Sequence, residues 1–382
     1  MKYAFNPLNL LFFILLNLAW AQLQAQVPIP TPPDVAAKGY LLVDFDSGKV
    51  LAEKGADERM EPASLTKIMT AYTVFRELSQ GNIHLEDEVL ISEKAWRTPG
   101  SRMFVEVGKR VKVGDLIKGM IIQSGNDACV ALAEHIAGSE ETFAALMNSH
   151  AQRLGMDHSH FANSTGLPHE DHYISPADIA KVTIATIREF PDYYAWYKEK
   201  SFFFNNIEQH NRNRLLWRDE SVDGVKTGHT ESAGYCLVAA ALRENMRLVS
   251  VVMGTDSEEA RAKASQSLLN YGFRFYETHR LYAAGEVLNR ARIWKGEVEK
   301  LPLGLANDLN ITIPRNQYRN LDARMEVEPR IMAPVEEGAV LGRVDVTLDG
   351  EPVAAADLIA LKRVTDGNFW QQIKDGALLW LE

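Results

Sequence analysis

Cysteine is nearly missing from this chain: 382 residues hold two, Cys129 and Cys236, each inside an apolar stretch. So small a number excludes a disulfide framework. One bridge between the pair remains open, but the apolar surroundings favour two buried free thiols with no chemistry of their own. Long apolar runs are scarce as well. Only Leu8 to Trp20 approaches the roughly 20 residues that cross a bilayer, so the rest of the chain is expected to be soluble or to lie on a surface. An excess of positive charge is also lacking: 41 Lys and Arg stand against 51 Asp and Glu, a formal charge of −10, which argues against nucleic acid as a partner. The only metal-like cluster, His169-Glu170-Asp171-His172, fits no zinc spacing and reads as a solvated loop. No cofactor or metal is expected, and no repeats or low-complexity tracts are present.

What remains describes an exported globular chain. With 46% hydrophobic and 24% charged residues, 382 residues suffice for two domains with terminal segments. Lys2, the apolar stretch to Trp20 and the small residues Ala19, Ala21 and Ala25 predict a cleaved leader over 1–25. An uncleaved anchor is the alternative. Losing Lys2 with the leader gives 40 − 51 = −11.

The chain is organised around Pro62-Ala63-Ser64-Leu65-Thr66-Lys67-Ile68-Met69-Thr70. Apolar Leu65, Ile68, Met69, Tyr72, Phe75 and Leu78 recur at helical spacing, which predicts a helix with one buried face and Ser64 in its first turn. Residues three apart on a helix have Cβ atoms about 5–6 Å apart, so the Lys67 amine can reach the Ser64 hydroxyl. A lysine neutralised by burial or by positive neighbours can take the serine proton, and the positive end of the helix dipole favours negative charge there. Alone, Ser-x-x-Lys is a weak sign, because an exposed serine beside a solvated lysine spells the same.

Two further stretches change that weight. Ser124-Gly125-Asn126 opens the apolar run Ala128 to Ala133, and Lys226-Thr227-Gly228 precedes the strand-like Tyr235 to Ala240. Ser-x-x-Lys, Ser-x-Asn and Lys-Thr-Gly in that order resemble the motifs of the penicillin-recognising serine enzymes, which work through an acyl-enzyme. The surrounding words Ala63 to Thr70, Ser124 to Ala133 and Asp223 to Thr230 are similar to those of the D-alanyl-D-alanine carboxypeptidases among the low-molecular-mass penicillin-binding proteins. The resemblance runs from about Val35 to the C-terminus.

That resemblance implies an α+β fold, a helical cluster packed on a five-stranded antiparallel sheet, and peptidoglycan pentapeptide stems as substrate with β-lactam antibiotics as covalent inhibitors. It implies Ser64 as nucleophile, Lys67 as general base and Ser124 as proton relay to the leaving D-alanine. Asn126 would hold the substrate backbone, and Lys226 and Thr227 its terminal carboxylate, with Gly228 letting the substrate lie close. The N–H groups of Ser64 and His229 would form an oxyanion hole, in which one donor is worth about 2.7–4 kcal/mol. Arg261, in Glu259-Ala260-Arg261-Ala262-Lys263, falls where the family keeps an arginine near that carboxylate. Arg212, in Asn211-Arg212-Asn213-Arg214, does so less clearly, because the following loop is shorter and Arg214 replaces a small residue. A β-lactamase of the same superfamily is the runner-up. Its class A form needs a Glu-x-x-x-Asn, whereas His160 to Ile174 offers Glu170 without the Asn. A decayed scaffold is disfavoured by intact catalytic side chains.

The rest of the chain supports this organisation. Gly39 to Asp44 and Lys49 to Ala52 read as a hairpin around Ser47-Gly48. Val113 to Met120 predicts a helix leading into Ser124, and Ser175-Pro176-Ala177-Asp178 a capped helix start. Tyr235 to Leu242 and Met246 to Met253 read as antiparallel strands. After about Tyr276 short alternating runs predict a small all-β domain, giving a catalytic domain over 26–278 and a β domain over 279–366. Over 367–382, Phe369, Trp370, Ile373, Ala377, Trp380 and Leu381 share one helical face, which suits a membrane interface; docking on the β domain is the alternative. Gly376 weakens that helix, and Lys374 is its only cation, so attraction to anionic lipid is small. The expected location is the periplasmic face of the inner membrane, held peripherally.

Overall fold

Short, nearly continuous apolar runs, buried on both faces, build a five-stranded antiparallel sheet from two distant parts of the chain. Gly39–Asp44 and Val50–Lys54 form a hairpin closed by Asp44, whose Oδ1 accepts from the Asp46 and Ser47 N–H groups. Met246–Thr255, Gly234–Arg243 and Val222–Thr230 then follow in spatial order beside Gly39–Asp44. The computed structural model describes residues 29–381 of the chain. The expected leader, 1–25, lies outside them. The chain divides into Met1–Thr31 and Pro32–Glu382, and in the first unit residues 29–31 have no regular secondary structure.

Because side chains alternate along a strand, the sheet feeds two cores. Leu41, Val43, Val238, Val249 and Val251 join the core of the helical cluster. Leu42, Leu237, Ala239, Leu248 and Val252 pack against the helix Glu258–Phe275. Lys226 lies opposite Val238 in the ladder, on the sheet face that meets the helical cluster.

The helical cluster comprises Lys67–Ser79, Asn126–Ala137, Glu140–Arg153 and Pro176–Glu189. The serine helix departs from expectation in two ways. Every residue from Lys67 to Phe75 is buried, so it runs through the cluster rather than along its surface. Ser64 also precedes the α-helix, in a tight 3₁₀ turn over Ala63–Thr66. Elsewhere the helix starts follow the sequence: the Ser175 hydroxyl accepts from the Asp178 N–H, with Pro176 in the first turn.

Past Glu258–Phe275, Tyr276–Tyr282 pairs with Leu309–Pro314, and a six-stranded sheet covers a core of Ile293, Leu301, Leu303, Val344, Val346 and Leu358. Hydrogen bonds from Thr278 to Asp44 (2.7 Å) and between Ser47 and Thr312 (2.6 Å) join this part to the hairpin. The terminal helix Phe369–Leu381 is tied by its polar side, Asp375 accepting from the Lys295 N–H at 2.6 Å and Lys374 pairing with Glu299. Its Phe369, Trp370 and Trp380 point outward. Among the described residues no helix is long and apolar enough to cross a membrane.

Candidate active site

Ser64 sits on a strained turn. Ala63 before it has φ +47°, a conformation non-glycine residues rarely adopt, and Leu65 N–H closes the turn on Pro62 O. One turn on, the Lys67 amine, 1% exposed, is hydrogen-bonded to Ser64 Oγ (2.9 Å), Asn126 Oδ1 (2.7 Å) and Thr165 O (2.6 Å). An ammonium has a proton for each. A neutral amine has two protons and a lone pair, and neither Asn126 Oδ1 nor the Thr165 carbonyl can donate. Both protons therefore go to those two acceptors, which leaves the lone pair facing the Ser64 hydroxyl. Burial lowers the Lys67 pKa to about 8, with Arg212 adding to the shift and Cys129, Asp127 and Glu140 opposing it. The sequence points to burial and to repulsion from Lys226; burial leads, and the positive neighbour that adds to it is Arg212.

The second motif stands on a helix junction. The helix Val113–Lys118 widens into a π-turn over Gly119–Gln123, Ser124 adopts the left-handed conformation (φ +65°), and Asn126 starts the next helix. Ser124 Oγ is buried and lacks a hydrogen-bond partner. An unpaired buried hydroxyl is costly, and this one is free to take a partner from outside. Asn126 spends Nδ2 on Pro99 O and Oδ1 on Lys67, which orients the base as well as leaving one amide proton for a substrate. Beside it, buried Asp127 accepts from the N–H groups of Met103, Phe104, Val105 and Ala128 and so fixes the wall of the cleft.

The third motif lies on the edge strand. Lys226, 3% exposed, donates only to Thr227 O, at 3.1 Å, leaving two protons for an acceptor from outside. Its pKa is driven well below the ordinary lysine value, first by burial and then by repulsion from Lys67, Arg212 and Arg261. A carboxylate entering this cationic pocket would reverse that shift and be held strongly. A Cβ on Gly228 would lie 3.1 Å from Pro62 O and 3.3 Å from Leu65 N. Its smallness thus lets the strand lie close against the serine turn. Exposed His229 stacks on Tyr235 at 4.0 Å between ring centres. Arg261, 4% exposed, donates to Gly228 O at 3.0 Å, so in this structure it braces the strand. Arg212 is exposed at the rim, bonded to Ser101 Oγ at 2.7 Å, yet close enough to act on both lysines.

Hydrogen bonds thus join Ser64, Lys67 and Asn126, Gly228 lies against the serine turn, Lys226 and Arg212 stand within electrostatic reach of Lys67, and Ser124 and Thr227 are carried beside them on the same two segments, with Arg261 behind the strand. Three participants escaped the sequence reading. The Thr165 carbonyl is backbone and carries no side-chain signal. Asp127 resembles an ordinary acid in a first helical turn. His172 was assigned to a solvated loop; His169, Glu170 and Asp171 are indeed exposed, but His172 turns inward and bonds Thr66. Cys129 and Cys236 are buried free thiols.

The family model for D-alanyl-D-alanine carboxypeptidase matches residues 26–257, and that for the penicillin-binding protein 5 C-terminal domain matches residues 276–366. The D-alanyl-D-alanine carboxypeptidase DacC of Escherichia coli strain K12 is 43% identical over 355 residues, covering 91% of this chain and 89% of that protein. Penicillin binding protein 5 from Haemophilus influenzae superposes with a TM-score of 0.85 at 42% identity, over 88% of this chain and all of that one. Penicillin-Binding Protein D2 from Listeria monocytogenes, in its ampicillin-bound form, superposes with a TM-score of 0.59 at 25% identity, over 64% of this chain and 100% of that one.

Proposed function

The chain belongs to the D-alanyl-D-alanine carboxypeptidase family, as a serine-type peptidase, and on that premise we propose how its residues divide the work. Lys226 and Thr227 take the terminal carboxylate of a pentapeptide stem, which sets the bond between the two D-alanines over Ser64. Lys67 removes the Ser64 proton as Oγ attacks the carbonyl carbon, and the N–H groups of Ser64 and His229 receive the charge on the carbonyl oxygen. Ser124 hands a proton to the amine of the leaving D-alanine. Water then hydrolyses the ester and Ser64 regains its proton. Asn126 serves both the base and the substrate backbone.

The observation that carries this reading is the trio of hydrogen bonds on buried Lys67, which aims its lone pair at Ser64. Penicillins present a reactive amide beside a carboxylate and should acylate the same oxygen. Fluorescent penicillin should label the wild type and not Ser64→Ala; equal labelling of both would remove Ser64 as nucleophile. Mass spectrometry of pentapeptide muropeptides after incubation should show loss of a single D-alanine.

The leader, cleaved near residue 25, would export the enzyme, and the terminal helix would hold it peripherally on the periplasmic face of the inner membrane. Exposure of Phe369 (70%), Trp370 (76%) and Trp380 (87%) supports that role, since two tryptophans flanking an apolar face suit a lipid interface. The limits 26–278 for the catalytic domain and 279–366 for the β domain belong to the same reading. A chain ending at Asp366 should leave the membrane fraction with its activity unchanged. Persistence in the membrane pellet after leader cleavage would overturn the anchor.

A further inference from the structure

We infer that His172 is a positioning residue for the reaction: its imidazole ties the turn carrying Ser64 and Lys67 to the loop whose Thr165 carbonyl holds Lys67. The inference rests on Lys67 being the base. His172 is 3% exposed, and its Nδ1 accepts from the Ala162 N–H at 3.4 Å. That acceptor role places the ring proton on Nε2, which donates to Thr66 Oγ1 at 2.9 Å. Burial lowers the pKa of His172 to about 4, with His160, His169 and Lys67 adding repulsion, so the ring stays a neutral donor at neutral pH.

Both ends of this bridge matter. Thr66 closes the 3₁₀ turn and is joined by its peptide to Lys67. Ala162 lies in the loop that reaches Thr165 three residues later. The loop is already pressed on the turn: Thr70 Oγ1 donates to Ser164 O at 2.7 Å, and a Cβ on Gly166 would fall 1.7 Å from Ala63 O. His172 holds the two segments in register through one rigid ring. If the bridge slackens, the Thr165 carbonyl shifts, one Lys67 proton loses its acceptor, and the lone pair is free to turn away from Ser64.

The test is penicillin acylation of the full chain, resolved into the binding constant and the acylation rate constant across pH. Thr66→Val removes the acceptor while keeping the side-chain shape, and His172→Phe removes the ring nitrogens. His172→Gln keeps a donor and an acceptor. The groups facing Lys67 are Asp127, Glu140, Cys129 and Arg212, with Lys226 on the strand, and none of them is substituted in these variants. Thr66→Val and His172→Phe should each lower the acylation constant about tenfold or more and move the acidic limb set by Lys67. Binding should stay within about twofold, the double variant should be no worse than either single one, and His172→Gln should lie within about threefold of wild type. A folded Thr66→Val that acylates like wild type with an unmoved limb overturns the proposal, and so does a loss confined to binding. If His172→Phe fails to fold, Thr66→Val breaks the same bond and decides. Normal acylation by Lys67→Arg would instead overturn the general-base reading beneath it.

Discussion

The two halves of the described chain treat buried polar groups in opposite ways. From Tyr276 onward Thr312 is the one polar residue in the buried set, and it faces back to Ser47 and Lys49 of the catalytic half. Before Tyr276 the buried set holds Lys67, Lys226, Arg261, Asp127 and His172, with Ser124 unpaired. Burying such groups costs free energy unless they are paired, and a fold that only needs to be stable fills its core as the β domain does, with Ile293, Leu301, Val344 and Leu358. The difference locates the chemistry: the first half gives up stability to hold charged and hydroxyl side chains in its core and to bring the Lys67 pKa down to about 8, whereas the second half fills its core with apolar side chains.

Matched substitutions in the two halves sharpen this contrast. Gly166 and Gly338 share φ +83°, but a Cβ at Gly166 meets backbone at 1.7 Å whereas at Gly338 nothing lies within 4 Å. Gly166→Ala should cost more than about 3 kcal/mol and remove activity, while Gly338→Ala should cost the left-handed strain alone, about 1–2 kcal/mol. Equal losses in denaturant titration would mean the catalytic half is no more tightly built.

The next effect is a pH dependence. His172 has a folded pKa of about 4 against an ordinary 6.5, so the unfolded chain takes the proton first. Stability from this group is complete above pH 6.5 and is lost as pH falls through 4, by roughly 3 kcal/mol in all. His172→Gln should lack that part of the acid loss; an unchanged acid profile would contradict it.

Smaller again is the pair of acids. Asp127→Ala orphans four backbone N–H groups and should cost about 2–3 kcal/mol, with slower acylation as the Met103 to Val105 wall loosens. Asp345 in the β domain forms an exposed 2.7 Å pair with Arg343, and Asp345→Ala should stay within about 0.5 kcal/mol. A costly Asp345→Ala would break the comparison from the other side.

Much of this was legible in the sequence, for identifiable reasons. The sheet strands announced themselves as short apolar runs bounded by turn residues and the helix at Pro176 by its serine cap. The three motifs marked the cleft because each sets a reactive side chain in a short word of fixed spacing, and the three occur in a fixed order. What stayed hidden depends on tertiary placement. The 3₁₀ turn at Ser64 is imposed by the Gly228 strand and the Gly166 loop packing against it, neither of which shows in the local helical period. The inward turn of His172 is invisible because its neighbours His169, Glu170 and Asp171 are those of a solvated loop. The close approach of Gly228 to the serine turn is likewise a matter of tertiary placement.

In the proposed mechanism buried Lys67, held by Asn126 and Thr165, activates Ser64 once it has lost its proton. Stopped-flow acylation by penicillin at saturating concentration, followed across pH in the wild type and in Lys67→Arg, tests it most directly. Arginine keeps the cation but does not deprotonate. The wild-type rate should rise with pH along a limb centred near the Lys67 pKa of about 8, and Lys67→Arg should bind penicillin yet fail to acylate at any pH. A Lys67→Arg enzyme acylating at close to the wild-type rate, or a wild-type rate flat through pH 8, would contradict the account.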